Sequence, residues 1–376
     1  MEKLLNKRYE TLDSLRGLAS ISVLFNHMWM VTPILPFIFS VSPIRILIYG
    51  HAAVILFFIL SAFVLSHQLD NNKMSYPKYI TKRICRIYIP YFFAISISIF
   101  LYNQFNLPIY NDFSEWFYKF WPTTISDGVI FEHFVLVANI HTDTFNTVIW
   151  SLVHEMRISI IFPFIFFMSK RCNLISIFTI CVFLSGIASL NDLYRFEVSN
   201  GHQTSFFDTL HYCSIFLIGS TLYVRKDKII STIVAMSSFI KVLLLSVGVF
   251  LYGYAKVSEM LIKGNFSHKV TEYVLTIGSC LIIVVCLGSL RLKTIMENKI
   301  FIFLGKISYS VYLLHFIIMI SLLHIYGNVL NVYIIYIVSF LLSLISAYLF
   351  NVAIEQPSAK FGNWLTSLNF FNLVRG

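Results

Sequence analysis

Residues 11–38 read TLDSLRGLASISVLFNHMWMVTPILPFI. From Gly17 to Ile38 the run is mostly apolar, and a helix needs about 20 such residues to cross the hydrocarbon of a bilayer. The run is longer than the apolar stretch of a signal peptide and contains Asn26 and His27. It therefore reads as a retained membrane span, not as a cleaved leader. The same reading extends down the chain. Stretches of similar character fall at 46–67, 87–106, 148–168, 172–191, 209–224, 236–255, 271–290, 308–326 and 331–353. The weakest is 236–255, because Lys241 lies inside it; alternatively, residues 229–240 lie along the membrane surface and the crossing starts later. The expected fold is all-α, a polytopic transmembrane bundle of about ten spans with both termini cytoplasmic.

Composition agrees. Of 376 residues, 57% are hydrophobic and 12% are charged. A soluble domain carries about 25% charged residues, so this chain lacks the polar side chains to cover a water-facing surface. That excludes a soluble enzyme, a disordered protein and a collagen-like fibre. A net charge of +10 in a soluble protein would raise nucleic acid as a partner. Here the basic residues gather in short connections instead. With the N-terminus inside, 20 of the 28 Lys and Arg fall on inner segments and 6 on outer ones, with Arg157 and Lys241 inside spans. That asymmetry sets the orientation, and no nucleic-acid partner is expected. None of the six Cys forms a C-x-x-C pair, and most sit in apolar runs. They read as apolar fillers, and no bound metal is expected. The outer segment 107–147 is long, and its apolar part, 129–139, is expected to re-enter the membrane surface. The chain reads as a single membrane domain over 1–376, with a core of about 10–357 and no appended soluble domain.

Ionisable groups inside spans are costly and ask for a reason. At about 100° per residue, Arg16 and His27 lie within about 20° of each other around the first helix and about 16 Å apart along it. Asp13 and Ser20 fall on the same side. A lone His in a span can simply bond a neighbouring helix; Asp13, Arg16 and His27 on one face favour chemistry. In NTVIWSLVHEMRISIIFP (146–163), Glu155 is the one carboxylate placed well inside a span. Ser151 shares its face, and Trp150, His154 and Arg157 line an adjacent face. Residues i and i+2 do not face each other, so Glu155 needs a partner on another helix, and His27 is the attractive candidate. Arg83 and Arg86 of KRICR (82–86) are spaced i, i+3. They read as positive-inside anchors or, joining Arg16, as an anion clamp. In GKISYSVYLLH (305–315), Ser308, Tyr312 and His315 share a face, with Tyr309 and Tyr312 fitting interface anchors. His51, His67, His211 and His324 are isolated and read as structural. Glu355 is expected to pair with cytoplasmic Arg.

These pieces suit an acyl donor with a phosphorylated tail. Arginines hold its phosphates, a membrane-buried His takes a proton from an acceptor hydroxyl, and a carboxylate orients that His. They also carry a resemblance. TLDSLRGLASISVLFNH resembles the opening of the acyltransferase family 3 membrane proteins, with Arg16 and His27 at the family's spacing. KRICR resembles its R-x-x-R motif, NTVIWSLVHEMRISIIFP its W-S-L-x-x-E stretch, and LGKISYSVYLLHF and IEQP its late signatures; together they span about 10–357. The resemblance implies transfer of an acyl group, commonly acetyl from acetyl-CoA, to a hydroxyl of a cell-surface polysaccharide or oligosaccharide, such as O-antigen or exopolysaccharide. Catalytic roles then fall to His27, as base or acyl carrier, and Glu155. Asp13, Arg16, Arg83 and Arg86 hold the donor, and Trp150, Ser151, His154, Arg157, Ser308, Tyr312 and His315 are further pocket candidates. Acetyl-CoA is expected as a donor substrate, with no permanently bound cofactor. Expected partners are acyl-CoA, a free or lipid-linked carbohydrate acceptor, membrane lipid, and polysaccharide-export or surface-modification proteins. The expected site is the bacterial cytoplasmic membrane. A transporter or flippase for a glycan or acyl donor is the alternative, since the same His, Glu and Arg would serve a proton relay. A non-catalytic scaffold of a polysaccharide-export complex is a second.

Overall fold

The computed structural model describes residues 9–32, 42–71, 74–109, 113–261 and 267–368. Every regular element among them is helical. The longer helices are α1 (Glu10–Val31), α2 (Gly50–Asn71), α3 (Tyr76–Phe105), α4 (Trp150–Arg171), α5 (Leu174–Tyr194), α6 (Phe206–Val224), α7 (Lys226–Ala235), α8 (Ser238–Tyr254), α9 (Ser267–Gly288), α10 (Lys299–Tyr326), α11 (Val332–Phe350) and α12 (Gln356–Ser367). Positions 33–38 of the expected first span lie outside the described residues. So do six of the basic residues counted above: Lys3, Lys7, Arg8, Lys73, Lys263 and Arg375.

Seven helical stretches are long and apolar enough to cross a bilayer: α2, α3, α4 with its leading turn from Thr147, α5, α9, α10, and the continuous α11–α12 run. The other three expected spans fall on α1, α6 and α8. Helix α1 carries Glu10, Asp13 and Arg16, and α8 has 17 residues. Local chemistry sets several boundaries. Ser205 and Asp208 form a reciprocal capping box at the start of α6, while Asn173, Ser237, Asn298 and Asn331 cap α5, α8, α10 and α11. The stretch 229–240 divides between α7 and α8, broken at Met236 and restarted by the Ser237 cap. Lys241 lies in α8 and turns its ammonium back to the Val234 carbonyl, 3.0 Å away.

Helix α10 is the central element: 83% of its most apolar window is buried, against 28% for the α11–α12 run. Its main partner is α1. The two backbones meet at paired glycines, where a Cβ on Gly17 would lie 2.6 Å from the Gly305 nitrogen, and one on Gly305 would lie 2.4 Å from the Asp13 carbonyl oxygen. The segment 113–149 also packs inward. Its residues 129–139 begin in a short helix, Asp127–Glu132. Tyr88 and Tyr91 of α3 then donate to the Phe134 and His133 carbonyls at 2.7 and 2.5 Å. The amide of Asn146 donates to the Leu313 carbonyl on α10 at 2.9 Å. This brings the start of α4 against the middle of α10.

Candidate active site

Two clefts open along α1, one around Arg16 and the other around His27. They enclose about 1010 and 1250 Å³ of empty space, mouths included.

In the first cleft, Glu155 Oε1 accepts from Arg83 Nη2 at 2.9 Å and from Ser61 Oγ at 2.8 Å. Arg83 also bonds Ser159 Oγ through Nε and Nη2, at 3.1 and 3.0 Å. Its guanidinium is thus committed within the protein. Arg16 and Arg86 line the same cleft, and neither makes a hydrogen bond or ion pair to another described residue. Asp13 stands among the charges acting on Arg16. Four cations (Arg16, Arg83, Arg86 and Lys306) face three carboxylates (Asp13, Glu155 and Glu355), leaving the cleft net positive. Ser151, Ser308 and Tyr312 also line it.

At the second cleft the hydrogen bonds fix a tautomer. His315 Nδ1 lies 2.8 Å from the Val311 carbonyl. A carbonyl only accepts, so that nitrogen carries the proton, and in neutral His315 Nε2 is then an acceptor. His27 Nδ1 lies 2.9 Å from His315 Nε2 and must donate to it. The free lone pair of His27 is therefore on Nε2, with no hydrogen-bond partner among the described residues. Trp116 stacks parallel to the His27 ring at 5.5 Å, an aromatic face against which an imidazolium is favourable. Tyr312 lines both clefts. Its hydroxyl bonds Ser151 Oγ at 2.7 Å and the Val148 carbonyl at 2.8 Å. The clefts thus share a wall in the middle of α10.

Residues 9–354 match the family described as "Acyltransferase domain", acyltransferase 3. The chain belongs to the acyltransferase 3 family. It is also similar to a protein of Acidianus two-tailed virus named "Putative acetyltransferase ORF330", at 26% identity over 333 residues, covering 87% of this chain and 88% of the relative. No solved structure matches the chain. With seven apolar helices of spanning length, it is an integral membrane protein and an acyltransferase.

The structure of this acyltransferase corrects several expected pairings. Glu155 does not meet His27: it binds Arg83 and Ser61 in one cleft, while His27 binds His315 at the other. A guanidinium is always charged and offers a planar fork, which makes it the stronger partner for a buried carboxylate. Among the described residues Glu355 does not pair with Arg. It accepts from Ser310 Oγ at 2.6 Å and Asn351 Nδ2 at 2.8 Å, on a π-helical turn at Asn351–Glu355. Trp150 lines the second cleft, but His154 and Arg157 line neither. His154 bonds Thr209 and the Gln203 carbonyl, and Arg157 bonds the carbonyls of Val137, Thr204 and Ser205. Both brace the connection into α6. His315 is buried behind His27 and is not part of a cleft surface.

Sequence reading also passed over a second buried carboxylate. Glu272, 1% exposed near the start of α9, has His51 Nε2 at 2.7 Å, His268 Nε2 at 3.1 Å and His211 Nε2 at 2.6 Å. His51 and His268 line the second cleft, and with Glu272 they are the described residues grouped closely enough to hold a metal ion. The signal was the i, i+4 spacing of His268 and Glu272, hidden because both sit at the edge of an apolar run. In the connection before α6, burial foremost and then the neighbouring His51 hold the His202 imidazole below its ordinary pKa, which favours its neutral form in this cleft.

Proposed function

We propose that the chain moves an acyl group, acetyl from acetyl-CoA, from the first cleft to a carbohydrate hydroxyl in the second, with His27 Nε2 as the base. The observation that carries this reading is the proton-ordered chain from the Val311 carbonyl through His315 to His27. It leaves an unprotonated nitrogen at one cleft while the neighbouring cleft holds two uncommitted arginines. The name of the viral relative supports acetyl as the group transferred.

Arg16 and Arg86 would hold the phosphates of the CoA tail, and Asp13 would orient Arg16. Glu155 is then a positioning residue, fixing Arg83 in the cleft wall. The thioester would reach past Tyr312 and Ser151. The acceptor oxygen would bond to the thioester carbon as His27 Nε2 takes the hydroxyl proton. Breaking the C–S bond would release CoA thiolate, to which that proton returns. Trp116 and Trp150 give the second cleft flat aromatic faces suited to a sugar ring. If the chain crosses ten times with its basic residues inside, the first cleft would open to the cytoplasm of a bacterial cell and the second to the opposite side. The acceptor is free or lipid-linked, and surface-modification proteins would use the product.

The test is to incubate the purified protein with acetyl-CoA and candidate saccharides and measure free CoA. Release that needs both an acceptor and His27 is expected. Release that persists in His27→Ala, or that ignores the acceptor, overturns the assignment.

A further inference from the structure

We propose that His51, His268 and Glu272 bind one divalent transition-metal ion of the zinc type at the wall of the second cleft. Their ligand atoms all lie within 4.8 Å of one another. His268 and Glu272 share a face of α9 at i, i+4, and His51 comes from the start of α2. Two imidazole nitrogens and a carboxylate oxygen are a common zinc set, and three protein ligands leave a position open for water or substrate.

The contacts around Glu272 point the same way. Three groups crowd the single oxygen Oε1: His51 Nε2 at 2.7 Å, Tyr212 Oη at 3.0 Å and His268 Nε2 at 3.1 Å. The Gln203 amide, held by Tyr212 Oη on its Oε1 at 2.8 Å, donates to His268 Nε2, so that nitrogen presents a lone pair to a carboxylate oxygen that also only accepts. A cation removes the conflict. The two imidazoles then present lone pairs to the metal, and the single Tyr212 hydroxyl proton lies between Gln203 Oε1 at 2.8 Å and Glu272 Oε1 at 3.0 Å. Outer contacts suited to a metal are also in place. Tyr212 Oη lies 3.0 Å from Glu272 Oε1, His211 Nε2 lies 2.6 Å from Oε2, and Glu259 Oε1 stands 3.6 Å from His268 Nδ1, on the far side of that ring. Carboxylates in that position orient metal-bound histidines. The His51 and His268 side chains are 20% and 44% exposed, which gives an ion a way in and leaves the open position facing the cleft. A hydroxyl oxygen of a ligand in that cleft is the natural occupant. Metal binding does not depend on the acyl-transfer proposal and can be tested without turnover.

Full-length protein, purified through a tag free of histidine and stripped of metal, is titrated with Zn²⁺ alone and, separately, with Co²⁺. One equivalent should bind at micromolar affinity or tighter, and Co²⁺ should give the visible absorption of a four- or five-coordinate site. His268→Ala and Glu272→Gln should each weaken binding by at least about tenfold. His141→Ala removes an imidazole paired with Glu132 outside both clefts and should change nothing. If Glu272→Gln fails to fold, the half-exposed His268 decides the matter. No stoichiometric binding, or binding undiminished in His268→Ala, overturns the site.

Discussion

His27 and His315 act as one unit, because the proton on His315 Nδ1 determines which nitrogen of His27 is free. His27→Ala should lower kcat by about 10²–10⁴-fold, the usual contribution of a positioned base, while the protein still inserts. His315 lines neither cleft, so His315→Ala should lower kcat and leave the KM for acyl-CoA nearly unchanged. His315→Gln should restore part of the rate, since an amide oxygen can also accept from His27 Nδ1. Wild-type kcat in His315→Ala would remove the relay. The arginines should separate in the same way. Arg83 is 7% exposed and bonded to Glu155, so Arg83→Ala leaves a carboxylate uncompensated. The expected loss is about 3 kcal/mol of stability, measured by thermal or denaturant unfolding. Arg86 is exposed at the first cleft and has no such partner among the described residues. Arg86→Ala should fold normally, raise the KM for acyl-CoA and flatten its dependence on salt; an unchanged salt dependence would refute the clamp. Periodicity along one helix made Arg16, His27 and Glu155 legible in the sequence. It did not reveal that Glu155 turns to α3 and His27 to α10, because partners across helices leave no periodic trace.

At the scale of elements, hydropathy located the long apolar helices and could not say which of them touch. Each of the ten expected spans overlaps a helix among the described residues, seven of these stretches being long and apolar enough to cross a bilayer, and the break at Met236 falls inside the stretch where the sequence left two placements open. The central position of α10 and the inward packing of 113–149 depend on contacts between distant segments. The α1–α10 crossing is the most exacting of these. A Cβ on Gly305 would come within 2.4 Å of the Asp13 carbonyl oxygen, and backbone cannot step aside as a flexible side chain can. Gly305→Val should therefore push α1 outward at a cost of about 1–3 kcal/mol. It should also weaken acyl-CoA binding, because Asp13 and Arg16 ride on the displaced helix. At Gly186 on α5 an added Cβ would meet nothing within 4 Å, so Gly186→Ala should leave both measurements unchanged. Equal effects at the two glycines would mean that helix crossing does not set the donor cleft.

For the whole molecule, the decisive feature is that the clefts lie toward opposite ends of α1 and share Tyr312 between them. Arg16 and His27 are separated by about 16 Å along the helix, a span that the long flexible arm of a CoA thioester can cover while its charged end stays at the arginines. On the proposed orientation, a donor and an acceptor bound in this way would approach from different sides of the bilayer, and neither would have to cross it. Sealed proteoliposomes can separate the two faces. Acetyl-CoA is supplied outside only, and a membrane-impermeant saccharide acceptor is trapped inside. Vesicles containing the protein should accumulate acylated saccharide in the lumen and free CoA in the external medium. Only molecules with the first cleft outward contribute, so a mixed population lowers the yield without reversing the result. His27→Ala should abolish lumenal product, and Arg86→Ala should lower it in a way that excess donor restores. If product forms only when donor and acceptor share one compartment, both substrates must use a single cleft, and the shared wall at Tyr312 is a barrier instead of the place where the acyl group changes hands.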